Sequence, residues 1–390
     1  MNKQEKLLLI NEVFTPSSPV ERNDFFIGRQ KAIEEIRTVV SEKGLHAAVI
    51  GARGVGKTSL MNMLRYMFEN LLIIKVNCNR NDTFNSIWER ALRKIRFISP
   101  AAELGFKGTE KIEIVPINVP QQLLLNATEI ENILTDLNQN SLFVFDEFDN
   151  VKRSETKNQL ADLLKMLSDT LPNVTVLIAG HAQSIDKLIG EHSSLERCVK
   201  QISLQLFEHN EAMDLVENSL NLIGMKAEKD VVNNIVRIAS GFPNYLHLIT
   251  KNSAIEAVQG NSDIIAKYHF ENSLVKSIEN SHYTIKNAYN KVISDVPENR
   301  LFEDLLYACV LARKDNENAF GIDEVVHQLK KIKGKDISSD FILNGLAMLC
   351  KREKSEILTK LGRQKNARYT FKKPQIMAYV NLKQYQIYKN

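Results

Sequence analysis

The stretch Leu45-His-Ala-Ala-Val-Ile50-Gly51-Ala52-Arg53-Gly54-Val55-Gly56-Lys57-Thr58 decides how the rest of this chain is read. Leu45 to Ile50 is a short apolar run with the length of a buried strand, and the residues from about Lys57 to Asn70 continue as a helix. Between them, the spacing G-x-x-x-x-G-K-[ST] calls for a loop that wraps a phosphate. The glycines let successive backbone N–H groups close on the anion, and the start of the helix adds its positive dipole end. In such a loop Lys57 neutralises phosphate charge and the Thr58 hydroxyl ligates Mg²⁺. Ala52, Arg53, Val55 and Ser59 complete the main-chain wall around a nucleotide such as ATP.

Working outward, Gln30 to Val40 has apolar residues at 33, 36, 39 and 40, a helical period, and Leu71 to Val76 is a second apolar strand. Strand, loop, helix and strand in that order make the βαβ unit in which a phosphate loop has a physical place. Ser141 to Phe145 and Val174 to Ala179 read as two more buried strands, separated by a helix from about Thr156 to Leu171. Residues 79–140 form a long excursion in which Lys111 to Val119 reads as a short strand or hairpin. The expected core is therefore α/β: a parallel sheet inside a three-layer αβα arrangement.

The third strand ends in Leu142-Phe-Val-Phe-Asp146-Glu147-Phe-Asp149. Beside the phosphate loop, Asp146 is expected to hold Mg²⁺ and its water shell together with Thr58. Glu147 is expected to orient or deprotonate the attacking water, because phosphoryl transfer needs positioning and charge neutralisation. The bland alternative is a strand ended by solvated acids, and Asp149 stays between a site role and a surface ion pair. His181, in Ala179-Gly180-His181-Ala182-Gln183, could touch a γ-phosphate or the catalytic water, with a structural role as the alternative. Arg197, in Ser193-Ser-Leu-Glu-Arg197, is a candidate arginine finger or within-chain sensor, and a surface salt bridge is the equal alternative. Acids at this strand end speak against a small-molecule kinase, so the expected reaction is hydrolysis of ATP to ADP and phosphate.

With 390 residues, 44% apolar and 25% charged, the chain has enough apolar material for two or three domains. Its four cysteines, Cys78, Cys198, Cys309 and Cys350, are far apart, so neither a disulfide framework nor a zinc site is expected and a cytoplasmic setting fits. No apolar run approaches the ~18 residues of a membrane span, so no membrane role is expected. Boundaries follow from pattern changes: an extended N-terminal arm over 1–24, an ATPase core over 25–205, an all-α lid over 206–290 and a further domain over 295–390. In that last part, helices over 301–313, 322–332 and 339–351 precede two alternating runs, the layout of a winged helix.

The net charge is only +4, yet from Lys351 onward eleven lysines and arginines face two glutamates. Such asymmetry suits an anionic partner. Lys360, Arg363, Lys365 and Arg368 would straddle DNA phosphates while the helix 339–351 entered a groove. That helix is mostly apolar and poor in base-reading side chains, so a basic edge that docks on protein remains the second reading.

These residues resemble the AAA+ and STAND-type ATPases, in particular the origin-recognition-like ATPases of archaea and bacteria. The resemblance rests on Phe26-Ile27-Gly28-Arg29-Gln-Lys-Ala-Ile-Glu34, on the phosphate loop and its acidic strand, and on Ser240-Gly241-Phe242-Pro243, and it spans about residues 20–290. It implies that Phe26, Ile27, Gly28 and Arg29 flank the adenine and that Pro243 touches base or ribose. The same Gly-Phe-Pro could also be a plain break between two lid helices. Two departures separate the chain from the initiators of that family: no arginine follows Gly241 in the lid, leaving Arg237 one turn earlier, and no helical clamp for duplex DNA is evident in 79–140. Homo-oligomerisation or a protein partner is the implied alternative to DNA.

Overall fold

In the computed structural model, which describes residues 2–68, 70–101, 111–116, 125–182, 185–190, 195–294, 299–315, 318–351, 356–362 and 367–389, the first residues are helical rather than extended. Helix α1 (Lys3–Val13) starts on an Asn2 cap: the Asn2 side chain accepts from the Glu5 N–H at 2.8 Å, and the Glu5 carboxylate accepts from the Asn2 N–H at 2.9 Å. Its Ile10, Val13 and the following Phe14 are buried against the helix Pro243–Gln259, where the Phe14 ring meets His247 edge-on at 5.9 Å. Lys6 pairs with Asp263, and the Lys3 ammonium donates to the Gln259 carbonyl at 2.9 Å. The extended arm expected over 1–24 is thus corrected. Ile10, Val13 and Phe14 found a distant apolar partner that local sequence does not display.

The chain divides into two units, Pro19–Gln205 and a second made of Met1–Ser18 with Leu206–Asn390. The first contains α2 (Gln30–Ser41), β1 (His46–Ile50), α3 (Lys57–Met67), β2 (Leu72–Asn77), α4 (Phe84–Leu92), β3 (Arg96–Ala101) and β4 (Lys111–Pro116). It continues with α5 (Ala127–Leu137), β5 (Ser141–Asp146), α6 (Ser154–Thr170), β6 (Val174–Gly180), α7 (Ile185–Ile189) and β7 (Val199–Ser203). Five strands form one parallel sheet in the order β2-β5-β6-β1-β7, and β3 with β4 makes a separate antiparallel hairpin within the long excursion. Ile117 and the rest of the expected 111–119 strand lie outside the described residues.

Helices cover both faces of this sheet. On β5, Phe143 and Phe145 point to one face, where the fully buried Trp88 of α4 packs on them at 5.1 and 5.2 Å between ring centres. Val144 and Asp146 point to the face covered by α3. His46, wholly buried on β1, ties three elements together. Its ring reaches the Leu164 carbonyl of α6 at 2.8 Å and accepts from the Val176 N–H of β6 at 3.1 Å, and burial pulls its pKa down to about 4.

The second unit adds α8 (His209–Leu222), β8 (Lys226–Ala227), α9 (Lys229–Ala239), α10 (Pro243–Gln259), β9 (Ile264–Ile265), α11 (Lys267–Glu279) and α12 (Tyr283–Ile293). Helices α10 and α11 approach closely over small side chains, with Ser253 to Ser273 at 2.8 Å and Asn252 donating to Ser277 at 2.9 Å. Then come α13 (Asn299–Leu311), α14 (Ile322–Lys333), α15 (Ser339–Leu349), the antiparallel pair β10 (Leu358–Leu361) and β11 (Arg368–Phe371), and α16 (Ile376–Lys389). Phe320, between α13 and α14, bridges Tyr369 through two main-chain hydrogen bonds of 2.8 and 2.9 Å. Helix α16 was not expected from sequence. Its Ile376, Ala378, Tyr379, Val380 and Leu382 are buried, and it packs on α9, α11, α12 and α13.

Candidate nucleotide-binding site

In a parallel sheet the carboxyl ends of the strands open onto one crevice, and three chemistry-bearing segments arrive there side by side. The loop Gly51–Gly56 leaves β1, Asp146 and Glu147 end β5, and His181 follows β6, which lies between those two strands. Gly54 and Gly56 take φ of 83° and 97°, left-handed values that turn the chain into α3 with its first N–H groups uncapped by any side chain. Those free donors and the dipole end make the anion cradle. Lys57 folds over it, donating to the Gly51 and Ala52 carbonyls at 2.8 and 2.9 Å. Burial holds its ammonium below the ordinary lysine range, and the carboxylates of Asp149, Asp146 and Glu147 partly restore it. A largely desolvated cation held only by neutral carbonyls beside a ring of main-chain donors is suited to trade those partners for phosphate oxygens.

The acidic side is equally organised. Asp146 is 1% exposed; one oxygen accepts from the Glu147 N–H at 2.9 Å, and the other has no aligned hydrogen-bond donor, although the Lys75 ammonium lies 3.1 Å from it. A buried carboxylate oxygen left without a hydrogen bond, on the α3 face that also carries Thr58, fits a hard divalent cation such as Mg²⁺, which takes few protein oxygens and leaves the rest to phosphate and water. Among the described residues no cluster of three His, Cys, Asp or Glu could hold a metal unaided. Glu147 sits exposed in the left-handed region (φ 55°), its carboxylate taking a bond from the Asn150 amide at 3.3 Å. Asp149, left open between two readings, accepts from the His181 N–H at 2.9 Å, and the His181 ring nitrogen Nδ1 lies 3.2 Å from the Gly51 carbonyl. Loop, acidic strand end and histidine thus form one linked set.

Arg29 is 7% exposed and donates to the Val55 carbonyl at 2.6 Å and to the Gln205 carbonyl at 2.7 Å, fastening the loop to the segment after β7. Phe26, Ile27 and Gly28, ahead of it, are half-buried. The Ser59 hydroxyl accepts from the Val20 N–H at 3.1 Å and so carries the chain that leads to them.

Arg197 stands just ahead of β7, at the opposite end of the strands from the phosphate loop, and grips Asp169 at 2.8 and 3.0 Å, the salt bridge held open as the equal alternative to a finger or sensor. Sequence reading missed Lys75, Asn150 and the β7 strand. A lone lysine in an apolar strand looks solvated, and nothing in its spacing discloses the aspartate beside it.

In the second unit, Pro243 is the first residue of α10, where its missing N–H costs nothing. Beside the Ser240-Gly241 break, Phe207, His209, Asn233, Arg237, Ser240 and Gly241 line an open cleft of about 500 Å³. Arg237 donates to Asn234 at 3.0 Å and lies over the Tyr385 ring at 5.6 Å. From α16, the Asn381 amide donates to the Ser240 hydroxyl at 2.7 Å and to the carbonyls of Arg237 and Ile238 at 3.4 and 3.5 Å. Of the basic cluster, Lys360 is exposed on β10, Arg368 pairs with Asp315 at 3.2 Å and donates to the Ala319 carbonyl at 3.1 Å, and Arg363 and Lys365 lie outside the described residues.

With this geometry in view, comparison with known proteins is informative. A family model described as novel STAND NTPase 1 matches residues 19–252, which is more than half of the chain. No curated protein matches it in sequence. Among solved structures, the Walker-type ATPase of Pyrococcus abyssi superposes with a TM-score of 0.52 at 16% identity, covering 94% of this chain and 99% of its own. The ORC2 protein of Aeropyrum pernix, solved in ADPNP–ADP complexes, does so at 0.52 and 13%, covering 97% and 98%. At such identities the likeness is one of fold. No helix among the described residues is long and apolar enough to cross a membrane.

Proposed function

Because the chain belongs to the novel STAND NTPase 1 family, we propose that it binds ATP in the Gly51–Thr58 loop and hydrolyses it, using the nucleotide state to switch the engagement of a partner. The observation that carries this reading is the linked set at one sheet edge: Lys57 over the loop, Asp146 and Glu147 at the end of β5, and His181 joined to both through Asp149 and Gly51. Lys57 would leave its two carbonyls for the β- and γ-phosphates. Glu147, exposed and held by Asn150, would orient a water and take its proton as the bond to the γ-phosphate forms and the ADP oxygen leaves. His181 would hold the loop carbonyl and present its ring beside the γ-phosphate. Mg²⁺, held by Thr58 and Asp146, would supply charge neutralisation at the phosphate oxygens. Phe26 and Ile27 leave half-buried apolar surface for an adenine, and Pro243 is carried as a nucleotide contact of the second unit on the family resemblance alone.

The second unit supplies the partner surface. The order α13, Phe320 bridge, α14, α15, β10, β11 supports a winged helix, and the exposed Lys360 with the basic bias of the sequence beyond residue 350 supports DNA phosphates as its target. A second reading, a protein partner, has its own observation. The exposed face of α15 presents Asp340, Leu343, Asn344 and Ala347 and no cation, while Arg368 is already committed to Asp315.

The test is steady-state ATP hydrolysis by the protein and its Glu147→Gln variant, with and without mixed duplex DNA at two salt concentrations. We expect turnover to fall roughly a hundredfold or more in the variant with nucleotide binding retained. Stimulation by DNA that fades with salt supports the DNA-linked switch. Turnover indifferent to DNA supports the protein-partner reading, and undiminished turnover in the variant refutes the role given to Glu147.

A further inference from the structure

The register of the sheet places one more charged group at the metal-binding carboxylate. Asn77 of β2 lies opposite Asp146 of β5, and Lys75 lies opposite Val144, so Lys75 emerges on the same face of the sheet as Asp146, one pleat behind it. That face is covered by α3. There the Lys75 ammonium has two partners: the Asn62 side-chain oxygen at 2.6 Å, and the unbonded Asp146 oxygen at 3.1 Å. Asn62 lies one helical turn beyond Thr58, so the lysine links the helix that carries Thr58 to Asp146. Asp146 is 1% exposed and Lys75 side-chain exposure is 22%, which makes this a largely desolvated pair rather than a surface contact.

Resting on the nucleotide-binding reading above, we propose that Lys75 is a tethered counter-cation that occupies the Asp146 carboxylate when no metal is bound and competes with Mg²⁺ for it. Asn62 is the second berth to which the ammonium retreats when the metal arrives. A buried carboxylate is costly without a counter-charge, and the lysine supplies one. The same positive charge repels a divalent cation at close range, where screening is weak. The protein therefore takes up metal only when phosphate oxygens add their own charge, so that metal loading follows nucleotide loading.

The experiment uses the full chain saturated with ADP and measures Mn²⁺ affinity by the loss of the free-ion electron paramagnetic resonance signal. Four proteins are compared: unmodified, Lys75→Met, Lys75→Arg and Asn62→Ala. Lys75→Met should bind Mn²⁺ at least tenfold more tightly, and Lys75→Arg, which keeps the charge, should stay within about threefold of the unmodified protein. Asn62→Ala removes the alternative berth and should weaken Mn²⁺ binding severalfold. This opposite sign decides the matter if Lys75→Met fails to fold. Unchanged or weaker Mn²⁺ binding in Lys75→Met, or unchanged binding in Asn62→Ala, overturns the proposal. Binding of a fluorescent ADP analogue without metal is measured alongside. Its absence in the unmodified protein would sink the nucleotide-site reading itself, whereas normal ADP binding with an unmoved Mn²⁺ affinity sinks only the role of Lys75.

Discussion

Replacing Arg29 with methionine tests whether the arginine is a fastening of the phosphate loop rather than a nucleotide contact alone. Its guanidinium makes bonds of 2.6 and 2.7 Å to two main-chain carbonyls, Val55 within the loop and Gln205 after β7, at a site only 7% exposed. Methionine keeps most of the apolar stem but donates nothing, so both carbonyls lose a charged donor. At ~1.5–3 kcal/mol for each such bond, the first unit should lose roughly 3–6 kcal/mol of stability. Trp88 is the single tryptophan of the chain and is buried in the core of this unit, so its emission during urea unfolding reports the loss directly. Lysine at the same position places one ammonium where a planar fork served two acceptors, and should recover about half of the deficit. Because Val55 belongs to the loop, ATP affinity should fall in step with stability across the two variants. A deficit below about 1 kcal/mol in the methionine variant, or a lysine variant as stable as the original, would refute the fastening role.

Acid should weaken the protein through its buried histidines. Burial holds His46 and His247 near a pKa of about 4, below their ordinary value of 6.5, so between those pH values the unfolded chain binds protons that the folded one refuses. Stability is then steady above pH 6.5 and falls as the pH drops toward 4, by up to about 3 kcal/mol for each histidine; urea midpoints across that range should be flatter in a His46→Gln variant. Trp88→Ala, which empties a site packed on Phe143 and Phe145, should cost about 3–5 kcal/mol by circular dichroism melts. Asp149→Ala, which frees the His181 main chain, should lower ATP turnover roughly tenfold while leaving ADP affinity within about threefold, and equal losses in both would count against a positioning role.

How much of this was legible in the sequence depended on whether the deciding contact was local. The phosphate loop, the acidic end of β5 and four of the five sheet strands announced themselves by apolar runs and by residues at fixed spacing. Strand β7 did not, because it is an edge strand in which Val199 and Ile202 are interspersed with Lys200, Gln201 and Ser203, so no apolar run or clear alternation marks it. Helices α1 and α16 escaped for a different reason. Their lysines and glutamines read as an extended arm and a basic tail, while the surfaces that bury their apolar residues belong to helices distant in the chain. For Arg197 the sequence left a γ-phosphate role and a surface salt bridge level, and only the fold supplies Asp169 as its partner. Lys75 and Arg29 acquire their meaning from partners across the fold, which no spacing rule encodes.

The pairing of α1 with α10 has a consequence for how this molecule comes into being. During synthesis α1 leaves the ribosome well ahead of the helix it covers, which is made more than two hundred residues later. The unit from Pro19 to Gln205 is continuous and can close as soon as β7 emerges, while α1 waits without its partner, Ile10, Val13 and Phe14 open to solvent. The unit with the candidate nucleotide site can therefore close before the other one, whose completion waits for α1 to meet α10.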